Sequence, residues 1–234
     1  MGIEDPYEEI KNQSHKIGKK VAEQVEEHFD MTKSLFSQFR TLFIYAGQAN
    51  SMEWFIRGHK PRIEDFLQLL KEGGSQIGID ETSELWKQVK KATKIFYLLD
   101  NSGESEIDLL VIKFLNRMEK DVFIGAKSAP ILNDITIEEA KSLGFGEFGK
   151  LVPTGQFVGT LLDERAPPPL KHTLKEVDLV IAKGMGSYET LSEYRRGIEP
   201  LVEIPCFIGL KAKCQPVADH IEVQRGELAI KRLF

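Results

Sequence analysis

Hydrophobic positions in the first ninety residues recur every three or four places. Tyr7, Ile10, Ile17, Val21 and Val25 form one stripe among Glu, Lys and Gln, and Leu35, Phe36, Phe39, Leu42 and Phe43 form a second, richer one. Ile63, Phe66, Leu67 and Leu70 make a third, closed by Gly73-Gly74, and Leu85, Trp86 and Val89 a short fourth. The spacing predicts helices over residues 5–92, a helical N-terminal subdomain (1–92) whose aromatic residues belong to its core.

At Lys94 the period changes. Ile95 to Leu99 is a short continuous apolar run, which suits a buried parallel strand, and it stops at Asp100 and Asn101. After Ser102-Gly103, Ile107, Leu110, Val111, Phe114, Leu115 and Met118 restore the helical period. A second strand follows at Asp121–Gly125, then a capping box, Thr136 with Glu139, opening a helix through Leu143. A third strand at Leu151-Val152 leads to Thr154-Gly155 and a predicted helix ending near Glu164, and Ala166-Pro167-Pro168-Pro169 reads as a stiff loop. A fourth strand, Val177 to Ala182, precedes Lys183-Gly184-Met185-Gly186-Ser187 and a helix. Glu203 to Leu210 predicts another strand, and IEVQRGELAIKRL a terminal hairpin turning at Arg225-Gly226. Alternating strands and helices imply an α/β domain with a mainly parallel, Rossmann-like sheet over 93–234.

Asp100 and Asn101 fall at the carboxyl end of a strand, the edge where open α/β sheets bind ligands. Adjacent oxygen donors there suit a hard cation such as Mg²⁺ or Mn²⁺; the alternative is that they form the turn and cap the next helix. Asp134 holds the same kind of position after the second strand, and if the two strands are neighbours the carboxylates converge. Glu104, in the first turn of the following helix, is a candidate to reach that site, whereas Asp108, one turn further on, reads as a structural residue. Lys183 and the glycines after it read either as a phosphate cradle at a helix N-terminus or as a tight turn; with the lysine ahead of the glycines it is not a Walker A loop.

Composition narrows the classes. A net charge of −5 leaves no basic excess for nucleic acid, and no apolar run approaches the ~18 residues of a membrane span. The acidic MGIEDPYEEIK start is not a signal peptide, and Pro6 breaks a myristoylation pattern. Only Cys206 and Cys214 occur, without a CxxC pair, so a reducing cytoplasm is the simplest setting. Cys214 is either a nucleophile or a small buried apolar residue. Five scattered histidines show no HExxH spacing, and neither a GxSxG elbow nor a GxGxxG after the first strand is present.

Taken together, DNSGE (100–104) with Asp108, PILND (130–134), IAKGMGSYETLSE (181–193) and KAKCQPVADH (211–220) resemble the metal-dependent damage-control phosphatase family, in its archaeal and bacterial branch. The resemblance implies a three-layer α/β/α sandwich with a helical N-terminal region and a divalent metal at the sheet's carboxyl edge. It matches the family's Asp-Asn metal pair to Asp100 and Asn101, its later aspartate ligand to Asp134, and its phosphate-contacting lysine to Lys183. Departures are Ser102 for the usual Ala, Ser187 where Asn is frequent, and Lys127 where Arg is common; relatives often carry a short cysteine-bearing segment ahead of the DPYEEIK region, and its lack here reflects either a natural difference or a shortened start. The implied activity is hydrolysis of small phosphomonoester metabolites, sugar phosphates or damaged phosphometabolites, with Mn²⁺, Ni²⁺, Co²⁺ or Mg²⁺ as cofactor. In that reading Asp100, Glu104 and Lys183 are catalytic candidates, and Lys183, Gly184, Gly186, Ser187 and Thr154 substrate-binding ones. Either water or a carboxylate acts as nucleophile. The alternatives are carboxyl methyl transfer from S-adenosylmethionine and a non-catalytic metal- or phosphate-binding regulator.

Overall fold

The computed structural model describes residues 4–49, 76–160, 165–193 and 204–234. Two helices come first, α1 (Glu8–His28) and α2 (Leu35–Ala49), built on the first two stripes, and β1 (Ile77–Asp80) and α3 (Thr82–Lys91) follow. The third stripe, with Gly73-Gly74, lies outside the described residues, as do Glu164 and Glu203. Next come β2 (Lys94–Leu98), α4 (Ser105–Arg117), β3 (Asp121–Ala126), α5 (Ile137–Ser142) and β4 (Lys150–Pro153). The chain continues with α6 (Pro168–Leu174), β5 (Leu179–Lys183), α7 (Met185–Ser192), β6 (Cys206–Lys211), α8 (Gln215–Ile221) and β7 (Leu228–Arg232).

The seven strands form one sheet in the order β1-β7-β6-β5-β2-β3-β4, parallel throughout except for the β6/β7 pair. Strand side chains alternate between two apolar faces. On β2, Ile95 and Tyr97 join the core beneath α1 to α5, whereas Phe96 and Leu98 join the one beneath α6 to α8. The result is the three-layer α/β/α sandwich, with a helical N-terminal region. Among the described residues no helix is long and apolar enough to cross a membrane.

Local expectations need correction at four places. Residues 5–92 are not helical throughout, because β1 forms the sheet edge beside β7. With only Ile77 and Ile79 as apolar residues it carries no local signal, and its pairing to a strand some 150 residues away decides its form. The proline run is not a loop throughout, since Pro168 and Pro169 open α6, where a missing N–H costs nothing. The terminal hairpin is absent: Ile221 closes α8, 222–227 run as turn and bend, and β7 pairs instead with β6 and β1. The helix expected after Thr154-Gly155 does not form over 154–160, which runs as loop and bend.

Asp80 ties β1 to the helical layer. Its Oδ1 accepts from the Thr82 amide at 3.1 Å and the Thr82 hydroxyl at 2.5 Å, while the Arg40 guanidinium donates to Oδ2 at 2.5 Å. Partial burial pushes this carboxyl up, but the bonds from Thr82 and Arg40 outweigh it and hold it below its usual value. A depressed folded pKa contributes stability above the unfolded pKa that is lost as pH falls through the folded one. Asp80→Asn is therefore expected to cost about 1 kcal/mol at pH 7, and the gap to wild type should close toward about pH 3 in denaturant melts. An equal gap at both pH values would show that the charge is not responsible.

Candidate active site

The sheet order makes a switch point. From β2 the chain steps outward to β3 and β4, then returns to place β5 on the other side of β2. Such reversals open a crevice at the carboxyl ends of the two strands involved. Asp100 and Asn101 leave β2 there, and Lys183 and Gly184 leave β5.

Main-chain bonds stitch the loop after β3 to the loop after β2. The Ile135 amide donates to the Asp100 carbonyl at 3.0 Å, and the Ser102 amide to the Asn133 carbonyl at 2.8 Å. Asn101 and Asp134 thereby face each other as an isolated antiparallel bridge. The convergence expected of Asp100, Asn101 and Asp134 is thus built into the backbone. On the β5 side, Gly184 has φ +80°, and a Cβ there would lie 1.8 Å from Asp100 Oδ2. Only glycine lets the β5 end approach the carboxylate so closely.

The pocket is dense in charge. Burial first, then the nearby Glu104 and Asp134 carboxylates, push Asp100 up to about 8, against the opposing pull of Lys213 and Lys183. Burial also raises Asp134, which the Lys127 ammonium partly offsets at 3.5 Å. Lys127 is lowered by burial, and its ammonium donates to the Phe157 carbonyl at 2.9 Å and to the Gly159 carbonyl. Among the described residues no three His, Cys, Asp or Glu side chains gather as a ligand cluster. Asp100, Asn101 and Asp134 carry two carboxylates and one amide oxygen, all hard donors. A crowd of like-charged buried carboxylates is what a divalent cation relieves, so these residues fit one.

Other candidates sit elsewhere than expected. The Lys183 side chain is fully buried, and its ammonium donates to Asp108 Oδ1 at 2.9 Å and the Ala46 carbonyl at 2.9 Å, with Glu104 Oε1 at 3.5 Å. Its three donors are engaged inside the protein, not turned toward a substrate. Burial alone would lower Lys183, yet Asp108 and Glu104 keep it above its usual value, so it stays charged. Glu104 accepts from Lys183 on one oxygen and from Asn101 Nδ2, at 3.3 Å, on the other. The Thr154 hydroxyl donates to the Ala126 carbonyl at 3.1 Å, joining β3 to β4. Gly186 and Ser187 fall in the first turn of α7, which follows Gly184 at the end of β5, where amides lack intrahelical acceptors. Gly159, carried by the loop that Lys127 holds, packs on Gly186. Cys206 is buried in the second core, and Cys214 precedes α8 as its N-cap residue.

Sequence reasoning left out Lys127, Lys213 and Tyr97 as site residues. One signal for Lys183 was available. It lies two residues after Ile181 and four after Leu179, so alternation puts it on the α4 face, opposite Asp108.

Comparison with known proteins shows the family and the fold. The family model described as the damage-control phosphatase ARMT1-like domain matches residues 1–229. A damage-control phosphatase of Pyrococcus horikoshii is 31% identical over 99% of this chain and 76% of its own length. One from Archaeoglobus fulgidus is 30% identical over 99% of this chain and 77% of its own. A crystal structure of a DUF89 family protein from Pyrococcus horikoshii superposes with a TM-score of 0.84 at 29% identity, covering 99% of this chain and 76% of that one.

Proposed function

The chain belongs to the damage-control phosphatase ARMT1-like family, and from that premise we propose that it is a metal-dependent phosphatase of small phosphorylated metabolites. The observation that carries this reading is the stitched pair of loops at the switch point. It gathers Asp100, Asn101 and Asp134 beside the N-terminus of α7.

Asp100, Asn101 and Asp134 would hold the divalent cation, Mn²⁺, Ni²⁺, Co²⁺ or Mg²⁺. When bound, the cation supplies Lewis-acid stabilisation for charge developing on a phosphoryl group. The first-turn amides of Met185, Gly186 and Ser187 hold phosphate oxygens, aided by the positive end of the helix dipole. Lys183 acts from below as a fixed, desolvated charge that offsets Glu104 and Asp100, and Lys213 adds to it. Lys127 steadies Asp134 and holds the 155–160 loop against α7, walling the phosphate end of the crevice.

Chelator-stripped protein should release little phosphate from a panel of small phosphomonoesters, and adding Mn²⁺, Ni²⁺, Co²⁺ or Mg²⁺ should restore release from at least one. Metal-independent release would remove the cation from the mechanism. Methyl transfer from S-adenosylmethionine with no phosphate release would replace the phosphatase reading altogether.

A further inference from the structure

Behind the three oxygen donors runs a chain of buried polar groups. The Tyr97 hydroxyl donates to Asp108 Oδ1 at 2.6 Å, and the Lys183 ammonium donates to the same oxygen at 2.9 Å. Lys183 also reaches Glu104 Oε1 at 3.5 Å, and Glu104 Oε2 accepts from Asn101 Nδ2 at 3.3 Å. Asn101 Nδ2 donates as well to Asp100 Oδ2 at 2.7 Å. Tyr97, Asp108 and Lys183 are wholly buried, and Glu104 is 2% exposed.

Two features mark Asp108 as more than a stabilising partner. Buried ion pairs cost several kcal/mol per ion in desolvation, and an apolar pair of the same shape is often at least as stable. Moreover, Asp108 Oδ2 is buried without a hydrogen-bond partner among the described residues, so part of that cost is uncompensated. What the carboxylate does accomplish is a division of the Lys183 charge. One ammonium faces two carboxylates, so it is not committed to Glu104 alone, whose other oxygen meets Asn101 Nδ2. An amide carries its two donors on nitrogen and its acceptor on oxygen. With Nδ2 held by Asp100 and Glu104, Oδ1 is left as the end that can serve a cation.

We propose that Asp108 is a positioning residue for Asn101: by sharing Lys183, it leaves Glu104 able to hold the Asn101 amide with its oxygen turned to the metal. This rests on the metal-site reading above. Tyr97 fixes the Asp108 oxygen from the sheet side. Without the Asp108 charge, Lys183 belongs to Glu104 alone, and the hold on Asn101 weakens while the pocket loses one negative charge. Both effects lower cation affinity.

The test is calorimetric Mn²⁺ binding, alongside thermal melts, for wild type, Asp108→Asn and the double variant Asp108→Asn/Lys183→Met. Asp108→Asn should bind Mn²⁺ about tenfold more weakly, the scale on which groups behind metal ligands act. The double variant removes one charge of each sign and should return to within about threefold of wild type, a non-additive rescue. Wild-type affinity in Asp108→Asn, or no recovery in the double variant, would overturn the proposal. If Asp108→Asn alone does not fold, Lys183→Met is compared with wild type: tighter Mn²⁺ binding supports charge sharing, and equal or weaker binding refutes it. Asp134→Ala separates the two levels. Mn²⁺ binding lost there but unaffected by Asp108→Asn would leave the metal site standing and remove only the positioning role.

Discussion

Asp134→Ala is expected to abolish calorimetric Mn²⁺ binding and lower phosphate release by about 10²-fold or more, a loss of at least about 2.7 kcal/mol in transition-state stabilisation. The stitch that brings its loop to Asp100 is made by main-chain groups, which alanine retains: Ile135 to Asp100, Ser102 to Asn133. Lys127 loses its carboxylate partner but keeps the Phe157 and Gly159 carbonyls. The variant should therefore unfold in one cooperative transition near the wild-type temperature. Normal Mn²⁺ binding in the folded variant would remove Asp134 from the ligand set.

Gly184→Ala should be comparably damaging for a different reason. A Cβ would fall 1.8 Å from Asp100 Oδ2 and 2.1 Å from its Cγ, so the carboxylate itself must move. At φ +80° the alanine also takes on backbone strain of about 1–2 kcal/mol. Moving Asp100 affects the donor set directly, so Mn²⁺ affinity should fall about tenfold or more while the melting temperature drops by several degrees. A variant that loses stability but keeps Mn²⁺ affinity would show that Asp100 has room to shift without leaving the site.

The contrast between these residues explains what was legible in the sequence. Asp100 and Asn101 announce themselves locally, as a polar break at the end of an apolar run, and Asp134 by its place just ahead of a capping box after the second strand. Their loops join through neighbouring strands, β2 and β3, which are also consecutive in sequence. The position of β5 on the far side of β2 is a long-range pairing with no local signature, so the switch point and the contact of Gly184 with Asp100 stayed hidden. The side-chain direction of Lys183 was readable from alternation along β5, but the apparent phosphate loop after it suggested an outward role. Two local expectations, helix over β1 and a hairpin starting at Ile221, went wrong for a shared reason. In β1 and in 221–227 only a few apolar residues are present, and tertiary pairing decides the local form.

The most direct test of the central claim is anomalous diffraction from crystals of the wild-type protein grown or soaked with Mn²⁺. One strong peak is expected within about 2.0–2.6 Å of side-chain oxygens from Asp100, Asn101 and Asp134 together, the range of hard-cation oxygen bonds. A fully occupied Mn²⁺ peak held by other residues, with these three oxygens turned away from it, would contradict the account.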